Sequence, residues 1–347
     1  MDKELLEYES RIKKELDEEF IKQSSYIFYP NLYSLRLLAY NVVNALEPYA
    51  NRFNSEEGYK EFPVYTLEER LKIIDKFYKY IDCNVDVYDL FNKGIFSFEG
   101  LQYEEELLNE RINIPYTGGV CRYCKEQKIS IVDVKNTGYF IDCTTAVHEL
   151  SHYQDEKKEG LLHEVNEFMT EAIADSYELM LMDYYEEEHP DEILWIKRSR
   201  LRYYYKVSEA CLELLDVFYL YYNFNDISSE LYQNYLGKND YADMLKRMKE
   251  KHIPMDITIT EYLVCAALAP YLYYEYKKDK RFADTIKSLH KSILDEDFPL
   301  LLRKIHLDTF INPLTNELEI DYSKSGNKII ANLEEYASNL YASERRR

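Results

Sequence analysis

The sequence predicts a mainly α-helical protein with one small β element placed just before its most informative helix. Three observations lead there. Glycine and proline number only nine each in 347 residues, too few for a chain of many short strands and turns. Apolar residues recur at helical spacing through most of the chain. One β-branched run, Lys128 to Val134 (KISIVDV), interrupts that texture. The length allows one large domain or two ordinary ones, with ample chain to bury a core. The change of texture near Pro115 separates an N-terminal helical region, residues 1–114, from residues 115–347, which hold the chemistry; one continuous domain is the alternative.

The N-terminal stretch sets Leu5, Leu6, Tyr8, Ile12, Leu16 and Phe20 among dense charges, close to a single helical stripe. Further helices are expected near residues 31–50, 66–82 and 84–110, with breaks at Pro30, Pro48, Pro63 and Gly100. Pro115 and the Gly118-Gly119 pair open a stretch of turn signals, the strand 128–134 follows, and Asn136-Thr137-Gly138 reads as a turn. Helical patterns resume over 144–156, 161–188 and 191–222, then continue to the end, punctuated at Gly237, Pro254, Pro299 and Pro313. No fixed-period repeat is present.

Charge narrows the partners. With 43 Lys+Arg against 64 Asp+Glu the net charge is −21, which repels nucleic acid and anionic membrane surfaces. The opening MDKELLEYESRIKKELDEEF has no apolar core, so no export signal is expected. The longest apolar run, Tyr262 to Tyr274, contains Pro270 and is too short to span a bilayer. Cysteines at 83, 121, 124, 143, 211 and 265 are then expected as reduced thiols of a cytoplasmic protein. Tyrosine is the anomaly: there are 36.

His148-Glu149-Leu150-Ser151-His152 has the HExxH spacing. On a helix both imidazoles leave one face and can share a Zn²⁺ ion, one per chain, with Glu149 beside it to deprotonate water. Thr145, Ala146, Val147, Leu150 and Ser151 are uncharged, as an internal helix requires, and Asp142 or Thr144 would suit its N-cap. A third ligand is needed. Position 158 is lysine, so a histidine ten residues after His148 is excluded. Glu171, Asp175 and Glu178 fall at i, i+4 and i+7, one face of a helix interleaved with Ala172, Ile173, Ala174, Leu179 and Met180. Glu171 is the candidate ligand, with Glu167 and Glu164 as competitors. Asp175 or Glu178 is placed to accept the outer N–H of a ligand histidine. His163 shares that register but reads as an ordinary loop or helix-start residue.

HELSH followed by TEAIADSYE resembles the gluzincin clan of zinc metallopeptidases, and most of all the oligoendopeptidase F and thimet oligopeptidase family. IVDV, the Asn136-Thr137-Gly138 turn, the approach from Asp142 to Thr145, then Glu171 and Glu178 match its pattern over roughly residues 115–280. The resemblance implies a zincin-type, mainly helical metallopeptidase acting on peptides or unfolded polypeptide. It also implies a tyrosine cluster that faces the metal and binds the oxyanion. Tyr271-Leu272-Tyr273-Tyr274-Glu275-Tyr276 is similar to that cluster, so Tyr273, Tyr276 and Tyr274 become candidate donors. Two departures stand out. Family members are much longer, and the histidine they carry ahead of the tyrosines is replaced here by Val264, Cys265 and Ala266.

In the implied mechanism, Glu149 takes a proton from water and passes it to the leaving amine. The strand Ile129 to Val134 offers an edge for an extended peptide. Cys121-Arg122-Tyr123-Cys124 is a lone CxxC and reads as a flexible loop with reduced thiols. Two alternatives accompany this reading: a thermolysin-like or aminopeptidase-like gluzincin, and a non-catalytic helical peptide-binding protein on a peptidase scaffold.

Overall fold

Helix α1 (Leu32–Leu46) runs into a 3-10 turn (Glu47–Arg52), where Pro48 ends the regular helix. Helices α2 (Leu67–Tyr80) and α3 (Val87–Asn92) follow, then strands β1 (Phe96–Ser97), β2 (Gly119–Cys124) and β3 (Ile129–Val134). The long helices come next: α4 (Ile141–Asp155), α5 (Glu167–Tyr185), α6 (Pro190–Phe224) and α7 (Ile259–Lys278). Helices α8 (Phe282–Ser292) and α9 (Phe298–Lys304), a hairpin of β4 (Thr309–Ile311) and β5 (Leu318–Ile320), and α10 (Asn327–Glu344) complete the order. These elements come from a computed structural model that describes residues 32–52, 62–99, 118–124, 129–155, 167–224, 259–293, 298–307, 309–311, 318–320 and 327–344, with a few positions among 3–14 and 246–250.

The mainly helical class with a small β element before the HExxH helix is what the sequence predicts, and several boundaries are corrected. The helix expected over 84–110 ends at Asn92, because Gly94 takes a left-handed backbone (φ +67°) and turns the chain into β1. The helix expected from Thr144 already begins at Ile141, so neither Asp142 nor Thr144 is its N-cap. The CxxC is not a loop: Cys121 and Cys124 lie in β2. Most of the N-terminal stripe, including Leu5, Leu6, Leu16 and Phe20, lies outside the described residues, although Tyr8 and Ile12 are buried.

The small sheet has the order β1-β3-β2, with β1 parallel and β2 antiparallel to β3. The strand 129–134 is therefore central, not an edge. Lys135 donates to the Gly118 carbonyl and Val132 to that of Ile95. By antiparallel alternation the backbone groups of Gly119, Cys121 and Tyr123 then point away from β3, and among the described residues no strand pairs with them.

Helix α7 packs along α5, and α5 along α4. Every residue from Leu263 to Tyr274 is buried, so α7 is apolar on all faces, as a central helix must be. The start of α4 is pinned by a polar knot. Asp142 accepts from Arg70 Nη1 at 2.6 Å, from the backbone N–H groups of Thr137 (3.0 Å) and Gly138 (2.8 Å), and from the Thr137 hydroxyl. Arg70 Nη2 also donates to Asn136 at 2.9 Å. The turn before α4 is thereby welded to α2. Tyr78 supports the same helix by donating to the Val147 carbonyl at 3.0 Å.

The side chains of Arg70 and Asp142 are 4% and 0% exposed, so removing one leaves the other as an uncompensated buried charge. Arg70→Leu is expected to destabilise the fold by about 3–5 kcal/mol. Urea unfolding should show a lower midpoint at unchanged slope.

Candidate metal centre

The centre lies where α4 meets α5. His148 and His152 are one turn apart on α4, and Glu171 sits in the first turns of α5. The two helices pack against each other closely enough for imidazoles on one to meet carboxylates on the other. His148 Nε2 is 3.1 Å from His152 Nε2. Glu171 Oε2 is 3.3 Å from His148 Nε2, and its Oε1 is 3.2 Å from His152 Nε2. Ligand atoms about 2.0–2.1 Å from a tetrahedral zinc ion stand about 3.3 Å from one another. The donor set therefore fits zinc in both chemistry and spacing. Of the competing ligands, Glu164 and the side chain of Glu167 lie outside the described residues, as does His163.

Asp175 and Glu178 meet the other side of the same ring. His148 Nδ1 is 3.2 Å from Asp175 Oδ1 and 2.8 Å from Glu178 Oε1. Burial disfavours a charged imidazole, but the Asp175, Glu171 and Glu178 carboxylates outweigh it and push His148 well above the ordinary range. His152 is raised in the same way, burial being outweighed chiefly by Glu171. Burial also opposes ionisation of Glu171, yet the two imidazoles hold its carboxyl below the usual carboxylate range. Carboxylates thus surround both imidazoles, and a metal ion held by Nε2 would take the place of the protons they favour.

Glu149 is buried, and desolvation raises its carboxyl despite the two histidines beside it, a direction that suits a general base. It packs against β2. A Cβ added at Gly119 would stand 2.6 Å from Thr145 Cγ2, 2.7 Å from Glu149 Cγ and 2.9 Å from Glu149 Oε1. Only glycine lets this strand lie so close to the carboxylate. The Gly118-Gly119 pair reads as turn chemistry in the sequence, and the contact that explains Gly119 appears only in three dimensions.

The tyrosine candidates make their contacts away from the two histidines. Tyr273 donates to Asp183 at 2.8 Å, and Asp183 lies twelve residues beyond Glu171 on α5, about 18 Å along the helix at 1.5 Å per residue. Tyr274 accepts from Asn339 at 3.2 Å, Tyr276 lies under the Lys280 ammonium at 3.9 Å, and Tyr271 donates to the Ile305 carbonyl at 2.7 Å. Helices α5 and α7 run in the same direction, since Cys265 meets Asp175 and Tyr273 meets Asp183. Of Val264, Cys265 and Ala266 it is Cys265 that reaches Asp175, together with Arg200 and Tyr204 of α6. Neither Arg200 nor Tyr204 stands out as a site residue in the sequence.

Two outcomes follow. Zinc requires neutral imidazoles, whereas the metal-free rings hold protons to above their ordinary 6.5. Affinity is therefore full above the raised values and falls as pH drops through them, with protons released on binding. Chelator competition between pH 8.5 and pH 5.5 measures this, and an affinity independent of pH would refute the ligand set. Tyr273→Phe is expected to cost about 1.5–3 kcal/mol of stability, the scale of a hydrogen bond to a charged group, and to leave metal affinity unchanged.

No protein-family model matches this sequence, and no curated protein matches it. Solved structures share its fold. A structure described as a peptidase from Chlamydophila abortus aligns over 96% of this chain and 63% of its own, with a TM-score of 0.57 and 14% identity. One described as an oligoendopeptidase F from Bacillus anthracis str. Ames aligns over 94% and 59%, with a TM-score of 0.55 and 12% identity. A further oligoendopeptidase F structure aligns over 89% and 59%, with a TM-score of 0.55 and 13% identity. The present chain spans about three-fifths of the length of these structures. The fold that HELSH and TEAIADSYE led us to expect is the fold the chain has.

Proposed function

We propose that this chain is a zinc-dependent peptidase that hydrolyses peptide bonds in peptides or unfolded segments. The observation that carries the reading is the meeting of His148, His152 and Glu171 at zinc-like spacing, with Glu149 beside them and packed under β2. Bound zinc supplies a Lewis acid and brings the pKa of a water molecule to about 7. The likeness in fold to oligoendopeptidase F structures supports the same assignment.

Within that frame each residue has a task. Glu149 takes the proton of the attacking water and carries it to the leaving nitrogen. Its burial weakens the carboxyl's preference for the charged form, which favours its taking up a proton before passing it on. The outward backbone edge of β2 pairs with an extended peptide as an added antiparallel or parallel strand. Gly119 brings that strand within reach of Glu149. Asp175 and Glu178 hold His148 by its outer nitrogen and so fix the tautomer.

A second reading has one specific observation in its favour. Tyr273, Tyr274 and Tyr276 are engaged away from the centre, and Cys265 stands at the place of the family's histidine. A scaffold that lacks those donors could bind peptides without cutting them.

Two variants separate the readings. Glu149→Gln should keep one zinc per chain and lose about 10²–10⁴-fold in peptide hydrolysis, the range of general acid–base catalysis. Gly119→Ala should also keep zinc and lower turnover, because its methyl displaces either β2 or Glu149. A zinc-loaded wild type that binds a broad peptide library and cleaves none of it establishes the binding protein instead.

A further inference from the structure

The arrangement around the outer nitrogen of His148 is unusual in its charge. Nδ1 carries a single N–H when Nε2 faces a metal, yet two carboxylates, Asp175 and Glu178, lie within 3.2 Å and 2.8 Å of it. Two carboxylates sharing one proton donor repel each other. Here a cation lies against both. Arg200 Nη2 donates to Glu178 Oε2, and Nη1 is 3.4 Å from Asp175 Oδ1. The remaining oxygen of Asp175 accepts from the Tyr204 hydroxyl at 2.9 Å and the Cys265 thiol at 2.8 Å. Arg200 and Tyr204 are four residues apart on α6, so one face of that helix supplies both donors.

His148 Nδ1, Asp175 and Glu178 also form a second group whose ligand atoms lie within 4.8 Å of one another. Two carboxylates and an imidazole would suit a divalent ion, and the guanidinium already provides positive charge there. Arginine is suited to the task. It stays charged at any pH the protein meets, and its planar fork can serve two carboxylates at once, which the point charge of lysine cannot.

We propose that Arg200 is a positioning residue of the metal centre: its guanidinium holds Asp175 and Glu178 together on the Nδ1–H of His148, fixes Nε2 as the ligand nitrogen, and stands in for a second cation. This rests on the zinc-site reading and goes beyond it, because a residue on a third helix then sets the metal affinity.

The test uses the full chain, stripped of metal and titrated with zinc against a chromophoric chelator, for wild type, Arg200→Met, Arg200→Lys, Glu178→Gln and the double variant Arg200→Met/Glu178→Gln. Wild type should saturate at one zinc. Arg200→Met should bind about 10–100-fold more weakly, the usual loss when an outer partner of a metal-bound histidine is removed, with Arg200→Lys in between. Its effect should shrink in the Glu178→Gln background, since the residue acts through the carboxylates. Nitrogen-15 spectra of the zinc-loaded histidines supply a signature that a purely structural role would not move: one His148 tautomer in wild type, and more than one in Arg200→Met. Zinc affinity of Arg200→Met within about twofold of wild type, or equal losses in both backgrounds, overturns the proposal. So does a second zinc in wild type that Glu178→Gln abolishes. Should Arg200→Met fail to fold, an undiminished affinity in Arg200→Lys overturns it equally. A wild type that takes up no zinc overturns the zinc-site reading itself, and this proposal with it.

Discussion

The constraint on which this structure turns is negative charge buried along one face of α5. Glu171, Asp175 and Glu178 point the same way from a helix whose other positions are almost all inside the core. A carboxylate taken out of water costs several kcal/mol unless it is paired and hydrogen-bonded. Three of them in succession dictate what must surround them. The imidazoles of α4, the guanidinium and phenol of Arg200 and Tyr204 on α6, and the thiol of Cys265 on α7 all converge on this face. Four helices are thus registered against one another by polar contacts, within a core whose apolar contacts alone would tolerate sliding. The Asp142 knot applies the same logic at the start of α4, where one buried carboxylate gathers a guanidinium, a hydroxyl and two backbone amides.

Much of the site is legible in the sequence because helical periodicity converts spacing into facing. His148 with His152, and Glu171 with Asp175 and Glu178, need only the 3.6-residue turn to be placed on a common side. What that rule cannot supply is the register between helices. Arg200 lies in the long α6, among many charged residues, and nothing local separates it from Arg198 or Arg202. Tyr273, Tyr274 and Tyr276 fail for the converse reason. Their helix is apolar on every side, so its pattern does not reveal which side looks toward α5 and which toward α10. Strand β2 escapes notice because glycine and arginine interrupt any alternation, and β1 is only two residues long. The central place of β3 depends on both of those partners, which is why it reads as an edge when taken alone.

The abundance of tyrosine acquires a physical account that has little to do with the metal. Several buried or half-buried phenols act as struts between elements distant in sequence. Tyr185 donates to the Ile73 carbonyl, Tyr271 to that of Ile305, Tyr78 to that of Val147, and Tyr65 to Glu192. Each supplies a large apolar ring and one hydrogen bond at its far end. In a chain poor in glycine, where helix backbones meet with bulky side chains between them, such struts let a ring fill the gap and still satisfy a polar group on the other side. Where the acceptor is a carboxylate, as at Asp175, the strut also helps hold charge in place.

If β2 takes up a peptide as proposed, its position has a consequence for what can dock there. Its inner face rests on the helix that carries Glu149, and its outer backbone groups face away from the sheet. Any chain docked there is read through its own amides and carbonyls, which are the same in every residue except proline. Selection on that surface is by shape: a segment must lie extended, with the amides and carbonyls along one side not already hydrogen-bonded within its own fold. Folded helices and the inner strands of sheets cannot meet that condition, whereas short peptides and loosened termini can. Proline in the docked stretch would interrupt the pairing regardless of the side chains around it.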